Sequence, residues 1–248
     1  MIGALIIGDE IIRGKRQDKH FAKLVELLRA RGMRLDWSQY LGDNRQLVID
    51  TLKRTLASGD LVFSFGGIGA TPDDHTRQAA AAVAGVELKL HPEAERIMRE
   101  RFGDQASEYR LRMGEFPVGS GVIPNPYNNI PGFSFKEHYF VPGFPVMAWP
   151  MVEWVLDTHY RHLFNAVPEA DDSITVYGLP ESAITPLMQD VEARHTDLKT
   201  FSLPSVGEDG LRRHIELGAR GAPGSIAAAM NELRAGVKAL GGTWDERK

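Results

Sequence analysis

Between Leu61 and Thr76 the chain reads Leu-Val-Phe-Ser-Phe-Gly-Gly-Ile-Gly-Ala-Thr-Pro-Asp-Asp-His-Thr, and this stretch holds the residue types that anion chemistry needs. Gly66, Gly67 and Gly69 follow a strand-like run and let backbone N–H groups approach a ligand closely. Thr71 and Pro72 read as the cap and first residue of a helix, whose N-terminus favours a bound phosphate. Asp73 and Asp74 in its first turn would repel a bare phosphate, so a cation or a hydroxyl-rich ligand is expected between them. An ordinary helix start also accounts for Thr-Pro-Asp-Asp, because first-turn acids offset the helix dipole. It does not account for the three glycines before the cap.

A second polar segment, Gly8-Asp-Glu-Ile-Ile-Arg-Gly-Lys15, follows the apolar run Ile2–Ile7. If both runs are neighbouring parallel strands, the two loops face one crevice beyond their carboxyl ends. Asp9, Glu10, Asp73 and Asp74 then form an acidic cluster suited to magnesium or a similar hard cation, with Lys15 and Arg16 as counter-charge. Taken alone, Asp9-Glu10 reads better as a solvated turn. Gly42-Asp43-Asn44 adds a third polar loop, and Pro124-Asn125-Pro126 with Asn128-Asn129 offers amides to a base or pterin ring, or simply builds turns.

Other chemistries do not fit. Gly8 to Lys15 has five residues between its glycines rather than a P-loop's four, and Arg16 stands where a Ser or Thr should bind magnesium. Gly67-Ile-Gly69 lacks the third glycine of a dinucleotide fingerprint, since Pro72 occupies that place. The eight histidines show no zinc spacing; His75 adjoins the site as an acid, a base or a surface residue, and His20 sits near a helix start. No Gly-x-Ser-x-Gly elbow is present, and Ser64 reads as a packed strand hydroxyl.

The elements that must position these loops follow from periodicity. Strands are expected at Ile2–Ile7, Arg34–Tyr40 and Leu61–Phe65, and helices at Asp18–Arg31, Arg45–Ser58 and Pro72–Val83. Phe21, Leu24, Val25 and Leu28 mark the buried face of the first helix. This alternation predicts a parallel sheet with helices on both faces. Further helices are expected at Pro92–Arg101 and Val146–Arg161, with short strands and tight turns between Gly119 and Val141. Asn165–Asp172 reads as a linker. Beyond it, strands at Ser173–Tyr177, Thr200–Leu203 and Arg213–Leu217, with helices at Ile184–Arg194 and Ser225–Leu240, predict a small α+β unit. The expected domains are residues 1–165 and 171–248.

The chain has 248 residues, 43% of them hydrophobic and 25% charged, as a soluble globular protein does. A net charge of −4 with no basic block argues against a nucleic-acid partner. The absence of cysteine removes disulfides, thiolate metal sites and cysteine nucleophiles. No run approaches a membrane span, and the apolar start is too short for a signal peptide, so a cytoplasmic protein without a membrane partner is expected.

These motifs resemble the competence/damage-inducible protein A family, whose main domain has the molybdopterin-binding fold of the MoaB and MogA type. The resemblance rests on Gly8-Asp-Glu-Ile-Ile-Arg-Gly14, Gly42-Asp43-Asn44, Gly66 to Thr76, Ile123-Pro-Asn125, Pro131-Gly-Phe133 and Val141-Pro-Gly-Phe-Pro145. Gly178-Leu-Pro-Glu-Ser182 is similar to a segment of that family's small second domain. The resemblance implies a three-layer α/β/α domain with a mostly parallel mixed sheet. It also implies metal-dependent hydrolysis of ADP-ribose, with magnesium, manganese or cobalt, or else binding of molybdopterin or a related phosphorylated ligand without turnover. By position, Gly66, Gly67 and Gly69 would contact phosphate, while Asp73, Asp74 and Thr76 would bind metal or ligand hydroxyls. Asp9 and Glu10 would line the opposite wall. Gly8, Lys15, Thr71, Asn125, Pro142 and Gly143 complete the expected ligand-binding set. Asp73 and Asp74 are the expected catalytic and metal-binding pair. Self-association is a further expectation. Lys19-His20 stands where the family usually has Thr-Asn, and Ala70 replaces a common proline. The resemblance stops at Lys248, short of the nicotinamide-mononucleotide deamidase domain of many members, so that activity is not expected of this chain.

Overall fold

The protein is described from a computed structural model covering residues 1–166, 170–205 and 212–246. It divides into two compact units, Met1–Ala166 and Val167–Lys248. The middle of the expected linker, residues 167–169, lies outside the described residues, as does Lys248.

In chain order the first unit contains β1 (Ile2–Ile7), α1 (Asp9–Ile12), α2 (His20–Arg29), β2 (Trp37–Leu41), α3 (Arg45–Ser58), β3 (Leu61–Phe65) and α4 (Thr76–Ala84). Then come β4 (Leu88–Leu90), α5 (Pro92–Phe102), α6 (Glu108–Leu111), β5 (Glu115–Pro117), β6 (Gly121–Ile123), β7 (Gly132–Phe135), β8 (His138–Val141) and α7 (Pro145–His159). Six strands form one sheet in the order β2-β1-β3-β8-β7-β6. The first four run parallel; β7 and β6 reverse direction as an antiparallel edge. The architecture is therefore a mainly parallel mixed sheet with helices on both sides.

Burial explains why the central strands are apolar throughout. Every residue of β3 is buried, since β3 is covered on both faces. One face packs Ala4, Ile6, Phe63, Phe65 and Val141 under α2 and α7. The other packs Leu5, Ile7, Val62 and Phe140 under α3, α4 and α5. Stacked rings of Phe116, Phe133 and Phe140 carry that second core out to the antiparallel edge.

Three boundaries differ from expectation for local reasons. The helix α2 begins at His20 because the Asp18 carboxylate accepts the amides of His20 and Phe21 at 2.8 and 3.1 Å. Its buried face is His20, Leu24, Leu27 and Leu28, whereas Phe21 and Val25 are exposed. The strand β2 starts at Trp37, where the indole reaches Asp60 at 2.9 Å. Most important, α4 begins at Thr76 rather than Pro72, and no acid lies in its first turn. Thr71 is not its cap. Residues 71–74 instead close a turn of their own: the Asp74 amide donates to the Thr71 carbonyl at 3.0 Å, and the Thr71 amide donates to the Asp74 carboxylate at 2.9 Å.

The second unit contains β9 (Ala170–Tyr177), α8 (Glu181–Arg194), β10 (Leu198–Ser205), β11 (His214–Gly221), α9 (Pro223–Ala239) and β12 (Thr243–Glu246). Its antiparallel sheet has the order β10-β11-β9-β12. One sheet face and the two helices share a core of Ile174, Val176, Leu217, Ile184, Val191, Met230 and Leu233. The strand β12 was missed because Thr243–Glu246 has one apolar residue, Trp244, and three exposed neighbours.

Candidate functional site

The strands β1 and β3 pair in parallel, with Ile6 opposite Phe65, so Gly8–Lys15 and Gly66–Thr76 both leave carboxyl ends of adjacent strands. The loop after β2 joins them, since β2 flanks β1 on its other side. The glycine-rich turn is anchored by its carbonyls. The Thr76 hydroxyl donates to Gly66 O at 3.2 Å, the Thr76 amide to Gly67 O at 3.0 Å, and Arg77 Nη2 to Gly69 O at 2.5 Å. A trans peptide points its N–H opposite to its C=O. These three carbonyl anchors therefore turn the amides of Gly67, Ile68 and Ala70 away from the protein body. Among the described residues, the amides of Gly67, Ile68, Gly69 and Ala70 have no protein acceptor. Consecutive outward amides in such a turn form a concavity for an anion.

Glycine is required in this turn for two reasons. Gly66 and Gly67 have φ of +95° and +69°, where side chains are strained. A Cβ on Gly66 would overlap the Ile7 carbonyl, and one on Gly67 would overlap the Thr76 hydroxyl oxygen. A Cβ on Gly69 would stand 2.5 Å from the Asp74 carboxylate. Packing thus accounts for part of the glycine content, and the outward amides are its consequence.

The acidic residues are distributed differently from a ready-made metal site. Asp9 and Asp43 clasp each other's backbone: the Asp9 amide donates to Asp43 Oδ2 at 2.8 Å, and the Asp43 amide to Asp9 Oδ1 at 3.2 Å. Asp9 also pairs with Arg13 at 2.7 Å. Asp74 is engaged by Thr71, through both its amide and its hydroxyl, the latter at 2.5 Å. Asp73 is exposed, and hydrogen bonding from Thr71 holds its carboxyl below the usual range. Burial pushes the Asp43 carboxyl up, and the charges of Asp9, Glu10 and Asp73 add to that rise. Asp43 is thus the acid that feels the others. Among the described residues, no three His, Asp or Glu side chains are grouped to hold a metal ion. Lys15 and Arg16 are exposed at the end of the first loop.

The third wall comes from the loop after β8. Gly66 donates its amide to Val141 O at 3.0 Å, and Gly143 lies directly beside Gly66, with room for a Cβ 3.5 Å from the Gly66 Cα. Pro142 precedes it, and Phe144 beyond it is exposed. His20 closes the floor: its ring stacks on Phe65 at 4.5 Å and its Nε2 contacts Gly143 O at 3.1 Å. Burial lowers the His20 pKa, which favours the neutral ring, against the opposing effects of the Gly143 carbonyl and Asp18.

Asn125 is placed apart from the amide turn. It is buried, and both ends of its amide serve its own loop: Nδ2 donates to Ile130 O at 2.9 Å and Oδ1 accepts from Tyr127 N at 3.1 Å. Asn128 likewise accepts from Ile130 N at 3.0 Å. The expected ring-recognition amides are therefore turn-forming groups. Asn125 also borders a separate cavity of about 760 Å³ between α5, this loop and α7, lined by Arg96, Arg101, Pro126, Pro150 and Trp154. None of the glycine-turn residues lines it.

Comparison with known proteins fits this geometry. Residues 3–162 match the family described as "Probable molybdopterin binding domain". The chain belongs to that family. A CinA-like protein of Anaeromyxobacter sp. (strain Fw109-5) is 33% identical over 198 residues, covering 75% of this chain and 48% of the relative. The chain thus spans about half the length of such curated relatives. A protein of Pyrobaculum calidifontis is 25% identical over 242 residues and covers 92% of both chains. Among solved structures, CinA of Thermoplasma acidophilum, titled as of unknown function, superposes with a TM-score of 0.57 at 23% identity. The match covers 63% of this chain and 96% of that one.

Within this molybdopterin-binding-family domain, the part Arg77 plays was not legible in the sequence, and Gly42-Asp43-Asn44 was legible only as a third polar loop. Arg77 looks like a surface residue of a helix, yet it is buried and bonded to the glycine turn. Asp43 looks like half of an Asp-Asn turn, yet it receives the field of three other carboxylates.

Proposed function

We propose that the first unit binds a phosphorylated small molecule, with a phosphate group seated on the amides of Gly67, Ile68, Gly69 and Ala70. The observation that carries this reading is that these four amides have no protein acceptor among the described residues, while the carbonyls of Gly66, Gly67 and Gly69 are anchored to Thr76 and Arg77. An anion satisfies such donors at no cost of rearrangement. Gly8, Pro142 and Gly143 border the seat, and Lys15 is the mobile counter-charge available to the rest of the ligand. The ligands to test first are ADP-ribose, which presents a diphosphate, and molybdopterin, after which the family is described. Asn125 and Asn128 are excluded from ring recognition in this reading, because their amides are used within their loop.

A second reading is metal-dependent hydrolysis of ADP-ribose. It is favoured by one observation: Asp43 lies in the field of Asp9, Glu10 and Asp73, so four carboxylates share the crevice mouth. Magnesium is commonly held by one or two carboxylates together with substrate phosphates rather than by an all-protein cage. Asp73 and Asp43 are the residues that would share such an ion with a bound diphosphate. The ion would neutralise and polarise the phosphoryl group. Asp74, tied to Thr71, is assigned to the turn.

Calorimetric titration with pyrophosphate, ADP-ribose and a molybdopterin analogue, each in EDTA and in magnesium, tests both readings. Saturable binding in EDTA supports the amide seat. Turnover of ADP-ribose that needs magnesium and is lost in Asp73→Asn supports hydrolysis. Absence of binding by all three ligands, with or without magnesium, contradicts the first reading. Binding without turnover contradicts the second.

A further inference from the structure

Arg77 anchors the glycine turn, but neither reading uses its buried charge. It is 3% exposed on α4, one residue past Thr76. Its Nη2 donates to Gly69 O at 2.5 Å, and its Nη1 donates to the carbonyls of Arg112 and Glu115. Its buried Nε has no partner among the described residues. Among the described residues, every bond it makes is to a neutral carbonyl. Glu115 and Asp74 are near enough to favour its charge, yet neither forms an ion pair with it. A buried guanidinium without a carboxylate partner is expensive, because carbonyl dipoles replace only part of its hydration.

The position of this charge gives it meaning. Arg77 lies behind the Gly66–Gly69 turn, on the side opposite to the outward amides, because it grips the Gly69 carbonyl from within. The turn is one peptide layer thick there. An anion on the amide face therefore sits across a single peptide from a buried positive charge that neither Glu115 nor Asp74 pairs with directly, in a low-dielectric setting where Coulomb attraction is strong. A purely structural clip for β4, β5 and the turn could be a neutral amide side chain, which donates to carbonyls equally well.

We infer that Arg77 is a positioning residue of the phosphate seat whose buried, carbonyl-bound charge is matched by the bound phosphate. This deepens the phosphate-binding reading and rests on it. It also narrows the ligand class. A phosphoryl or diphosphate group carrying two or more negative charges is preferred over a monoanion of similar size, because the charge behind the turn adds to each unit of ligand charge.

The test compares Arg77→Lys and Arg77→Gln with the wild-type chain, using pyrophosphate as probe. Far-ultraviolet circular dichroism and melting establish folding, and calorimetry gives affinity. A structural clip lowers the melting temperature in both variants without separating their affinities. The inference predicts that Arg77→Lys, which keeps the charge, binds within about threefold of wild type. Arg77→Gln, which keeps donors but loses the charge, binds about tenfold or more weakly, as loss of a charge-assisted interaction should. Equal affinity of Arg77→Gln and wild type overturns the inference while leaving the phosphate seat standing. So does equal weakening of both variants. No pyrophosphate binding by wild type overturns the seat and the inference together. If the variants do not fold, nitrogen-15 spectra of the wild-type arginine Nε–H groups decide. The Arg77 signal is expected to shift saturably with pyrophosphate but not with equal ionic strength of chloride, and an unmoved signal overturns the inference.

Discussion

Asp43 gives the clearest residue-level consequence of the crevice charges. Its carboxyl is pushed up by burial and then by Asp9, Glu10 and Asp73. A native pKa above the unfolded value means the folded chain binds that proton more tightly. Its stabilising effect is therefore present below the unfolded pKa and is lost as pH rises through the native pKa. At neutral pH the ionised group opposes folding. Asp43→Asn keeps an oxygen to accept from the Asp9 amide. It is expected to raise the melting temperature at pH 7 and to leave it unchanged near pH 3; a lower melting temperature at pH 7 contradicts the charge-cluster description. At Gly67 the two roles of one residue separate. With φ of +69° and Thr76 in the way of a Cβ, Gly67→Ala should cost on the order of 1–3 kcal/mol of stability and abolish pyrophosphate binding. Denaturant melts and calorimetry on the same sample check both, and retained affinity would remove Gly67 from the seat. The glycines themselves were legible in the sequence because few residues tolerate that backbone. Which acids were free was not: Asp74 is engaged by a residue three positions away, and Asp9 by Arg13 and the Asp43 loop.

At the level of elements, periodicity located the first three strands and the long helices of the first unit but not the short α1, β4, α6 and β5; β1 and β3 are apolar on both faces and α3 has a clean cap and stop, whereas three- and four-residue elements are too short to show a period. Asn44 accepts the Leu47 amide at 3.0 Å and Gly59 ends the helix with φ of +73°. Asn44→Ala should lower stability by about 1 kcal/mol and leave pyrophosphate affinity unchanged, since the cap faces α3 rather than the amide turn. A large loss of affinity would mean that the β2 loop is part of the seat. The start of α4 was misread for a definite reason. Thr-Pro-Asp-Asp has the composition of a helix N-terminus, but Asp74 folds back on Thr71 and the Thr76 amide is drawn to Gly67 O. Local propensity favoured Pro72; the Thr71–Asp74 turn and the Thr76–Gly67 contact moved the start to Thr76. The Thr76–Gly67 contact is also one of the carbonyl anchors of the glycine turn, so the misread boundary lies at the proposed site.

For the molecule as a whole, the phosphate seat draws its described groups from Met1–Ala166 alone, with Gly8, Gly66–Ala70, Thr76, Arg77 and Gly143 all inside that unit. A fragment of residues 1–166 should then fold cooperatively and bind pyrophosphate with the affinity of the full chain, measured side by side by calorimetry; loss of binding by a folded fragment would assign part of the seat to the second unit. No helix among the described residues is long and apolar enough to cross a membrane. The central claim is that the amides of Gly67, Ile68, Gly69 and Ala70 hold the anion. A nitrogen-15 amide titration of the full chain with pyrophosphate in EDTA addresses it directly. The account predicts that these four amide signals shift together, saturably and more than any others. Saturation with those four signals unmoved, or no saturable shift anywhere, would contradict it.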